Sequence, residues 1–473
     1  MAGIVSYGAY VPFNRLKRSA IGETLGIKGG KGERAVASYD EDAVTMAVEA
    51  SRACLKATDA AAVGALYFAT TAPPYVEKLN ASTIHAATAL PSSVRSLDLA
   101  CSVRAGIGAL LTAHDAAVAA SATNAIALAA LSDIRIGAPE GSAEQSGGDA
   151  AVAYAFGTKN VIAEVEATYS ESLEYLATWR TPDQKFAKSW EERFPLTQAY
   201  VPLLSNAAKA IAARAKIGPN DIALAVVDAP NPRASAMVAG GLKLDPSRMV
   251  ADMSDTVGWT GAAHAGLMLA DALDRAKPGD RILVLSVSDG VDAILLRVTD
   301  AIASFKRSHT VAQLIASKRN DLSYARYLKW RGLLDTEPPR RPDPQRPAGP
   351  PSLRDEHWKF GFVGSRCTEC GTHQLPPQIV CVHCRAVGKM EEVPFVDRIA
   401  RVRTFTVDRL AFTPQPPMVV AILDFDGGGR FQSELTDCEP EKVAIGQDLE
   451  MTFRRLFTAD GIHNYFWKAR PAR

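Results

Sequence analysis

Apolar runs of strand length alternate with segments of helical spacing along the first 300 residues. Gly3 to Val11, Ala65 to Thr71 (ALYFATT), Ala125 to Ser132 (AIALAALS), Ile222 to Asp228 (IALAVVD) and Arg281 to Ser288 (RILVLSVS) are nearly continuous apolar runs. That is the pattern of strands covered on both faces. Asp40 to Leu55 opens with acidic residues and then places apolar residues at helical spacing, which predicts a helix. Pro202 to Lys216 and Gly261 to Arg275 read the same way. Ser96 to Ala119 (SLDLACSVRAGIGALLTAHDAAVA) begins as a strand, passes through Cys101 and becomes a long Ala/Leu/Gly helix. Ser146 to Phe156 is a glycine turn leading into a further strand. Gly147-Gly148 does not open a helix after a strand, so it is not read as a dinucleotide fingerprint.

The second part repeats the order of the first. Ser132-Asp133 recurs as Ser288-Asp289, 156 positions later, and the turns at Ser121 and Lys277 keep the same interval. This predicts one duplicated α/β domain over 1–300, with halves of about 1–165 and 166–300. A pseudo-twofold relation would bring matching loops of the two halves to one site.

The character changes after Asp300. The stretch 301–356 reads as a helical segment, Val311 to Leu334, followed by a proline-rich, semi-rigid linker, Glu337 to Pro351. Within 357–390, Cys367-x-x-Cys370 and Cys381-x-x-Cys384 are separated by ten residues. Two such knuckles form a closed tetrahedral thiolate site, which predicts a structural Zn2+ with no open position for chemistry. His373 and His383 lie nearby, but the cysteines already complete the shell. From 391 to 473, five short strand-like runs separated by turns fit a small OB-fold β-barrel.

Composition narrows the classes. A chain of 473 residues is too long for a single core. A net charge of +1 gives no global pull toward nucleic acid or anionic membrane. No apolar run reaches the roughly 18 residues that span a bilayer. The N-terminal basic residues follow the apolar stretch, the reverse of a secretory signal. Paired CxxC spacing among seven cysteines suits a reducing compartment, so the expected location is cytoplasmic.

Cys101 is the leading candidate for chemistry. At a strand-to-helix junction, unpaired N–H groups and the positive helix end favour a thiolate nucleophile. The alternative is a small buried apolar cysteine. His264 opens the matching second-half helix and reads either as a base or as a packed helix residue. Tyr75, His85 and His114 read as packing or helix residues. Arg15, Lys17 and Arg18 read either as cations facing a ligand's phosphates or, by base rate, as a solvated surface.

Several of these features together resemble a known family. The two-half domain, GAYVPFNRLK, YDEDAVTMAVEA, the Cys101 junction, the Pro230-Asn231 turn and AKPGDRILVLSVSDG are similar to bacterial and archaeal 3-hydroxy-3-methylglutaryl-CoA synthases of the thiolase superfamily. The segment from SYARYLKWRG through the ribbon and barrel resembles zinc-ribbon OB-fold proteins that accompany thiolase-type enzymes and help hold acyl-CoA. The resemblance implies a thiolase-like αβαβα domain, a coenzyme A thioester substrate, a homodimer and acyl transfer through Cys101. It also shows departures. The family's His-x-Pro-Asn turn reads Asp228-Ala229-Pro230-Asn231, its acid/base glutamate falls at Thr71, and its asparagine falls at Asp255. Asp228, Asn231, Asp255 and His264 therefore become the candidate polar groups beside Cys101, with Asp228 and Asp255 reading equally as solvated turn or cap residues. The changes point to a related carbon–carbon reaction, such as thiolytic cleavage or a retro-aldol step on a CoA thioester without Cys acylation. Another reading is a non-catalytic acyl-CoA-binding partner that channels to a thiolase. A nucleic-acid module fits less well, because the ribbon loop THQLPPQIV is apolar and nearly uncharged.

Overall fold

The computed structural model describes residues 2–340 and 342–473. The chain divides into two compact units. The first comprises Met1–Ala37, Met46–Ser82 and Leu90–Tyr327; the second comprises Ser38–Thr45, Thr83–Ala89 and Leu328–Arg473.

The first unit is built on a nine-stranded mixed sheet. Its strands are β1 (Gly3–Tyr10), β2 (Val63–Thr70), β3 (Arg95–Ala100), β4 (Ile126–Ile134), β5 (Asp149–Gly157), β6 (Ala163–Ser172), β7 (Leu224–Asp228), β8 (Arg281–Ser288) and β9 (Gly290–Val298). Their order is β7-β8-β9-β6-β1-β5-β4-β2-β3. The duplication read from the sequence is visible in this order. In the first half β2 runs parallel to β4, β4 antiparallel to β5, and β5 antiparallel to β1. In the second half β7, β8, β9 and β6 repeat those pairings in the same sense. The halves join where Gly3 and Ile4 of β1 pair with Glu164 and Ala163 of β6. The edge strand β3 has no second-half counterpart.

Helix α1 (Ala43–Leu55) precedes β2, and α2 (Ala105–Ala119), α3 (Val201–Ala215) and α4 (His264–Arg275) cover the sheet. The α2 sequence is apolar on most of its surface, as a helix enclosed by a core must be. Its Ile107, Leu110 and Ala113 join Leu267, Met268 and Leu273 of α4 in one buried cluster. A 3-10 turn, Gly261–Ala263, leads into α4, so turn and helix together lie 156 positions beyond α2. Gly106 is required at this approach, since a Cβ there would stand 1.8 Å from the Ala262 carbonyl oxygen.

Two expectations change in this unit. The predicted single helix over 311–334 is two helices, α5 (Val311–Ala316) and α6 (Tyr324–Trp330). Between them the backbone of Arg319 is taken by an N-terminal segment: its N–H donates to Phe13 at 2.8 Å, and its carbonyl accepts from Arg15 at 2.7 Å. Arg15 and Arg18 are not on a solvated surface. Both are buried, with Arg15 beside Glu33 and bonded to the Pro12 and Asn14 carbonyls, while Lys17 alone is exposed.

In the second unit, β10 (Val363–Cys367), β11 (His373–Gln374) and β12 (Met390–Pro394) form a three-stranded ribbon. The Sγ atoms of Cys367, Cys370, Cys381 and Cys384 lie within 4.8 Å of one another. Then β13 (Ala400–Asp408), β14 (Met418–Phe425), β15 (Arg430–Glu434), β16 (Asp448–Ala459) and β17 (Ile462–Pro471) form a sheet in the order β15-β14-β13-β16-β17. The barrel closes where the Thr436 N–H donates to the Ala469 carbonyl at 2.9 Å. Phe362, Phe453 and Trp467 fill this unit's interior.

The Ser38–Thr45 arm supplies carboxylates to the barrel's buried cations. Arg454 is fully buried, 2.6 Å from Glu41, 2.6 Å from Asp437 and 3.5 Å from Asp40. Lys468 is 3.0 Å from Asp40 and 3.1 Å from Glu434. Tyr465 donates its hydroxyl to Asp42 at 2.8 Å. Among the described residues no helix is long and apolar enough to cross a membrane.

Candidate active site

The ends of β2, β3 and β4 define one side of the site. Thr70 is level with Ala100, and Ala69 is level with Leu131. Carried one residue past the first pair and two past the second, these registers put Thr71 level with Cys101, which begins the turn after β3, and with Asp133 on β4. Cys101 is exposed and has a backbone φ of 80°. A non-glycine residue pays roughly 1 kcal/mol or more to hold the left-handed region, and such strain collects at functional turns. Cys101 precedes α2 by four residues and presents its thiol to solvent rather than to a core.

The Cys101 turn is clamped to the second half. The Ser102 hydroxyl donates to Asp289. Arg104 bonds Asp292 through Nε at 2.7 Å and Nη2 at 3.1 Å. Its Nη1 donates to Ser172 Oγ at 2.9 Å and to the Asp289 carbonyl at 3.0 Å. The reciprocal contact runs the other way, because the Ala262 N–H donates to Asp133 at 3.0 Å. Each half's Ser-Asp pair therefore lies at the end of a strand, and its aspartate holds the turn that starts the other half's inner helix. That is the structural content of the repeat at Asp133 and Asp289.

Thr71 occupies the position where the resemblance placed a glutamate. Its hydroxyl donates to Asp133 at 2.8 Å and accepts from Arg135 Nη1 at 2.8 Å. Both of its roles are thus taken. Asp133 is fully buried and receives the Thr71 N–H as well. The Arg135 guanidinium stacks 4.8 Å above the Trp259 ring, and the Trp259 indole N–H donates to Asp228 at 3.1 Å. A continuous path of contacts thus joins Cys101's strand neighbour to Asp228.

Asp228 ends β7 and is buried. Ser286 donates to its second oxygen at 2.9 Å. Burial pushes the Asp228 carboxyl above its usual range, against the pull of His264, Trp259 and Ser286. His264 is also buried, and burial lowers its pKa although Asp228 and Asp252 favour the cation. Its Nδ1 accepts from the Thr260 N–H at 3.3 Å, which leaves the proton of a neutral ring on Nε2.

The remaining two predicted residues serve elsewhere. Asn231 Oδ1 accepts the Arg233 N–H at 3.0 Å, an Asx turn that starts the following helix. Asp255 has a mostly exposed side chain 3.6 Å from Arg18, so it has no hand in the Asp228 group. Sequence reasoning missed Arg135, Trp259, Ser286 and Arg104. Only the repeated Ser-Asp pairs hinted at this neighbourhood.

Comparison with known proteins gives the lineage. Hydroxymethylglutaryl-CoA synthases of Methanopyrus kandleri and Caldivirga maquilingensis are each 32% identical to the chain, over 70% of it and over 97% and 98% of their own lengths. The chain belongs to the hydroxymethylglutaryl-CoA synthase family. Within that family relationship, residues 212–298 match the C-terminal domain of 3-oxoacyl-[acyl-carrier-protein] synthase III, a thiolase-like domain. A solved HMG-CoA synthase complexed with CoA shares the fold at a TM-score of 0.61 and 17% identity, covering 69% of this chain and 89% of that one. MvaS in complex with 3-hydroxy-3-methylglutaryl coenzyme A does so at 0.60 and 18%, covering 73% and 94%. Beyond the synthase-like part, residues 361–391 match the ChsH2 rubredoxin-like zinc ribbon and 394–454 the ChsH2 C-terminal OB-fold. The four clustered thiols fit a structural zinc ion: four thiolate donors complete a tetrahedral shell.

Proposed function

We propose that this protein makes or breaks a carbon–carbon bond in an acyl-CoA, using Cys101 as the acyl acceptor. The supporting observation is the Cys101 turn: an exposed thiol in left-handed backbone, clamped across the two halves by Ser102 and Arg104. In the synthetic direction Cys101 Sγ attacks the thioester carbonyl, the bond to coenzyme A breaks, and coenzyme A leaves as the thiol. A second acyl-CoA loses an α-proton, and its carbanion attacks the acyl-Cys carbonyl, so the new C–C bond forms as Cys101 is released. The reverse sequence cleaves. Asp228 is the group assigned to move the α-proton. Its burial raises the carboxyl above its usual range, and each oxygen is oriented by one donor. His264 Nδ1 is occupied by the Thr260 N–H, and the Thr71 hydroxyl is bonded to both Asp133 and Arg135, so neither is assigned as the base. Homodimerisation fits the edge strand β3, which pairs with β2 on one side only and whose Leu97 is exposed. The ribbon and barrel are assigned to acyl-CoA holding.

A second reading keeps Asp228 and dispenses with acylation: a retro-aldol cleavage of a β-hydroxyacyl-CoA in which Asp228 takes the hydroxyl proton. The Asp228 bonds favour it, because Trp259 and Ser286 orient the carboxyl without any bond to Cys101. Intact mass after incubation with short, branched and aromatic acyl-CoAs separates the two readings. An acyl-sized adduct that is absent from Cys101→Ser supports the thioester route. A folded, zinc-loaded protein with no adduct from any donor overturns it.

A further inference from the structure

Two guanidinium groups converge on Thr71, the strand neighbour of Cys101. Arg135 Nη1 donates to the Thr71 hydroxyl at 2.8 Å, and Arg180 Nη2 donates to the Thr71 carbonyl at 3.1 Å. Each guanidinium keeps further donors open. Arg135 Nε and Nη2, and Arg180 Nε and Nη1, make no hydrogen bond among the described residues, and both side chains reach solvent, Arg135 at 19% exposure. Arg135 is ion-paired with the buried Asp133, so what it keeps for a ligand is its Nε and Nη2 donors. Asp133 stands 3.6 Å away, its oxygens taken by Thr70, Thr71 and Ala262. The Trp259 ring lies 4.8 Å from the Arg135 guanidinium carbon and supports the cation from one side. Arginine presents paired N–H donors in a fixed fork that fits the two oxygens of a carboxylate.

We infer that Arg135 and Arg180 form a carboxylate-binding subsite beside Cys101, so that the acyl group loaded there carries its own carboxylate. The inference rests on the proposed acyl-CoA reading and names its substrate class. The same cationic fork also suits a phosphate of coenzyme A. The position one strand over from the acyl acceptor favours the acyl end, because the pantetheine arm keeps the phosphates remote from the thioester.

The test compares acylation rates of the full-length protein by thioesters matched in chain length. Succinyl-CoA is set against butanoyl-CoA, and glutaryl-CoA against pentanoyl-CoA. All four share the same phosphates, so only the acyl carboxylate differs. The wild-type protein is expected to favour the carboxylated member of at least one pair by about tenfold or more, the scale of a charge-assisted hydrogen bond. That ratio should fall toward one in R135M and partly in R180M, with R135K recovering less than arginine gives. Arg180 is exposed, so R180M reads the ratio even where R135M folds poorly. Equal rates within both pairs while Cys101 loads, or a ratio unmoved by both substitutions, overturn the subsite and leave the acyl-CoA reading standing. Equal slowing of all four thioesters in the variants assigns the fork to coenzyme A phosphate and also overturns it. If no donor loads Cys101, the function proposal fails by itself. The subsite is then judged by calorimetric Kd values of the same four thioesters, where equal values within each pair overturn it.

Discussion

Replacing Arg454 by methionine should destabilise the C-terminal unit by about 3–5 kcal/mol, the usual cost of removing one partner from a buried ionic group. Arg454 has no exposed surface and answers three carboxylates, with Glu41 and Asp437 both at 2.6 Å. After the substitution Lys468 still faces Asp40, and Arg470 still stands 3.9 Å from Asp437, but Glu41 loses its closest cation. For a unit of this size each kcal/mol moves the melting point by roughly 2–4 °C, so the unit's transition should fall by about 6–20 °C at pH 7. The effect should also depend on pH. Burial alone would raise the Asp40 carboxyl, but Lys468 and Arg454 outweigh it and hold the group below its usual value. A carboxyl with a depressed folded pKa stabilises the fold above its unfolded value, and that contribution is lost as pH falls through the folded value. Removing Arg454 removes part of this contribution. The gap between wild type and R454M should therefore be widest at neutral pH and shrink as pH drops below about 4. Differential scanning calorimetry at pH 7 and pH 4 measures it, with the exposed Arg430–Asp424 pair as control. R430M should cost no more than about 1 kcal/mol. If R454M and R430M melt together at pH 7, or if the R454M deficit grows on acidification, the reasoning is wrong.

Asp228→Asn should abolish the acidic limb of the pH–rate profile. In the wild type that limb should lie above the ordinary carboxylate range, because burial raises the carboxyl. The same change should raise the melting point at neutral pH. A folded pKa above the unfolded one means that stability falls as pH rises through that window, and asparagine removes the loss. Gly106→Ala drives a Cβ to 1.8 Å from the Ala262 oxygen; a cost of about 1–3 kcal/mol and slower modification of Cys101 by iodoacetamide are expected, with an unchanged alkylation rate as the contrary result. Metal analysis should find one zinc per chain, and chelation should speed amide exchange across Val363–Pro394 while leaving the nine-stranded sheet protected.

The parts of the fold that sequence made legible are those where one residue's neighbours along the chain decide its environment. The run IALAALS has to be a doubly covered strand, and β4 is buried along nearly its whole length. Two CxxC knuckles imply a shared metal wherever the ribbon lies. The site was less legible because its bonds join distant segments. Nothing near Trp259 announces that its indole will meet Asp228, and nothing near Thr71 announces Arg135. Asp255 matched a family position yet turned to Arg18, because the segment that carries it also hydrogen-bonds Glu33. The acidic start of DEDAVTMAVEA suited a helix terminus just as well as it suited Arg454.

The arm has a consequence for how the chain is made. Asp40 and Arg454 are 414 residues apart. At synthesis rates of about 5–20 residues per second, roughly 20–80 s pass between their appearances. During that interval the nine-stranded sheet can assemble from segments already synthesised, while the arm's three carboxylates remain hydrated and without their cations. The barrel must then thread its last two strands past an arm that has been waiting the whole time. Maturation of this protein therefore has a built-in order, sheet first and barrel last, and the late step carries the long-range contacts that make folding slow.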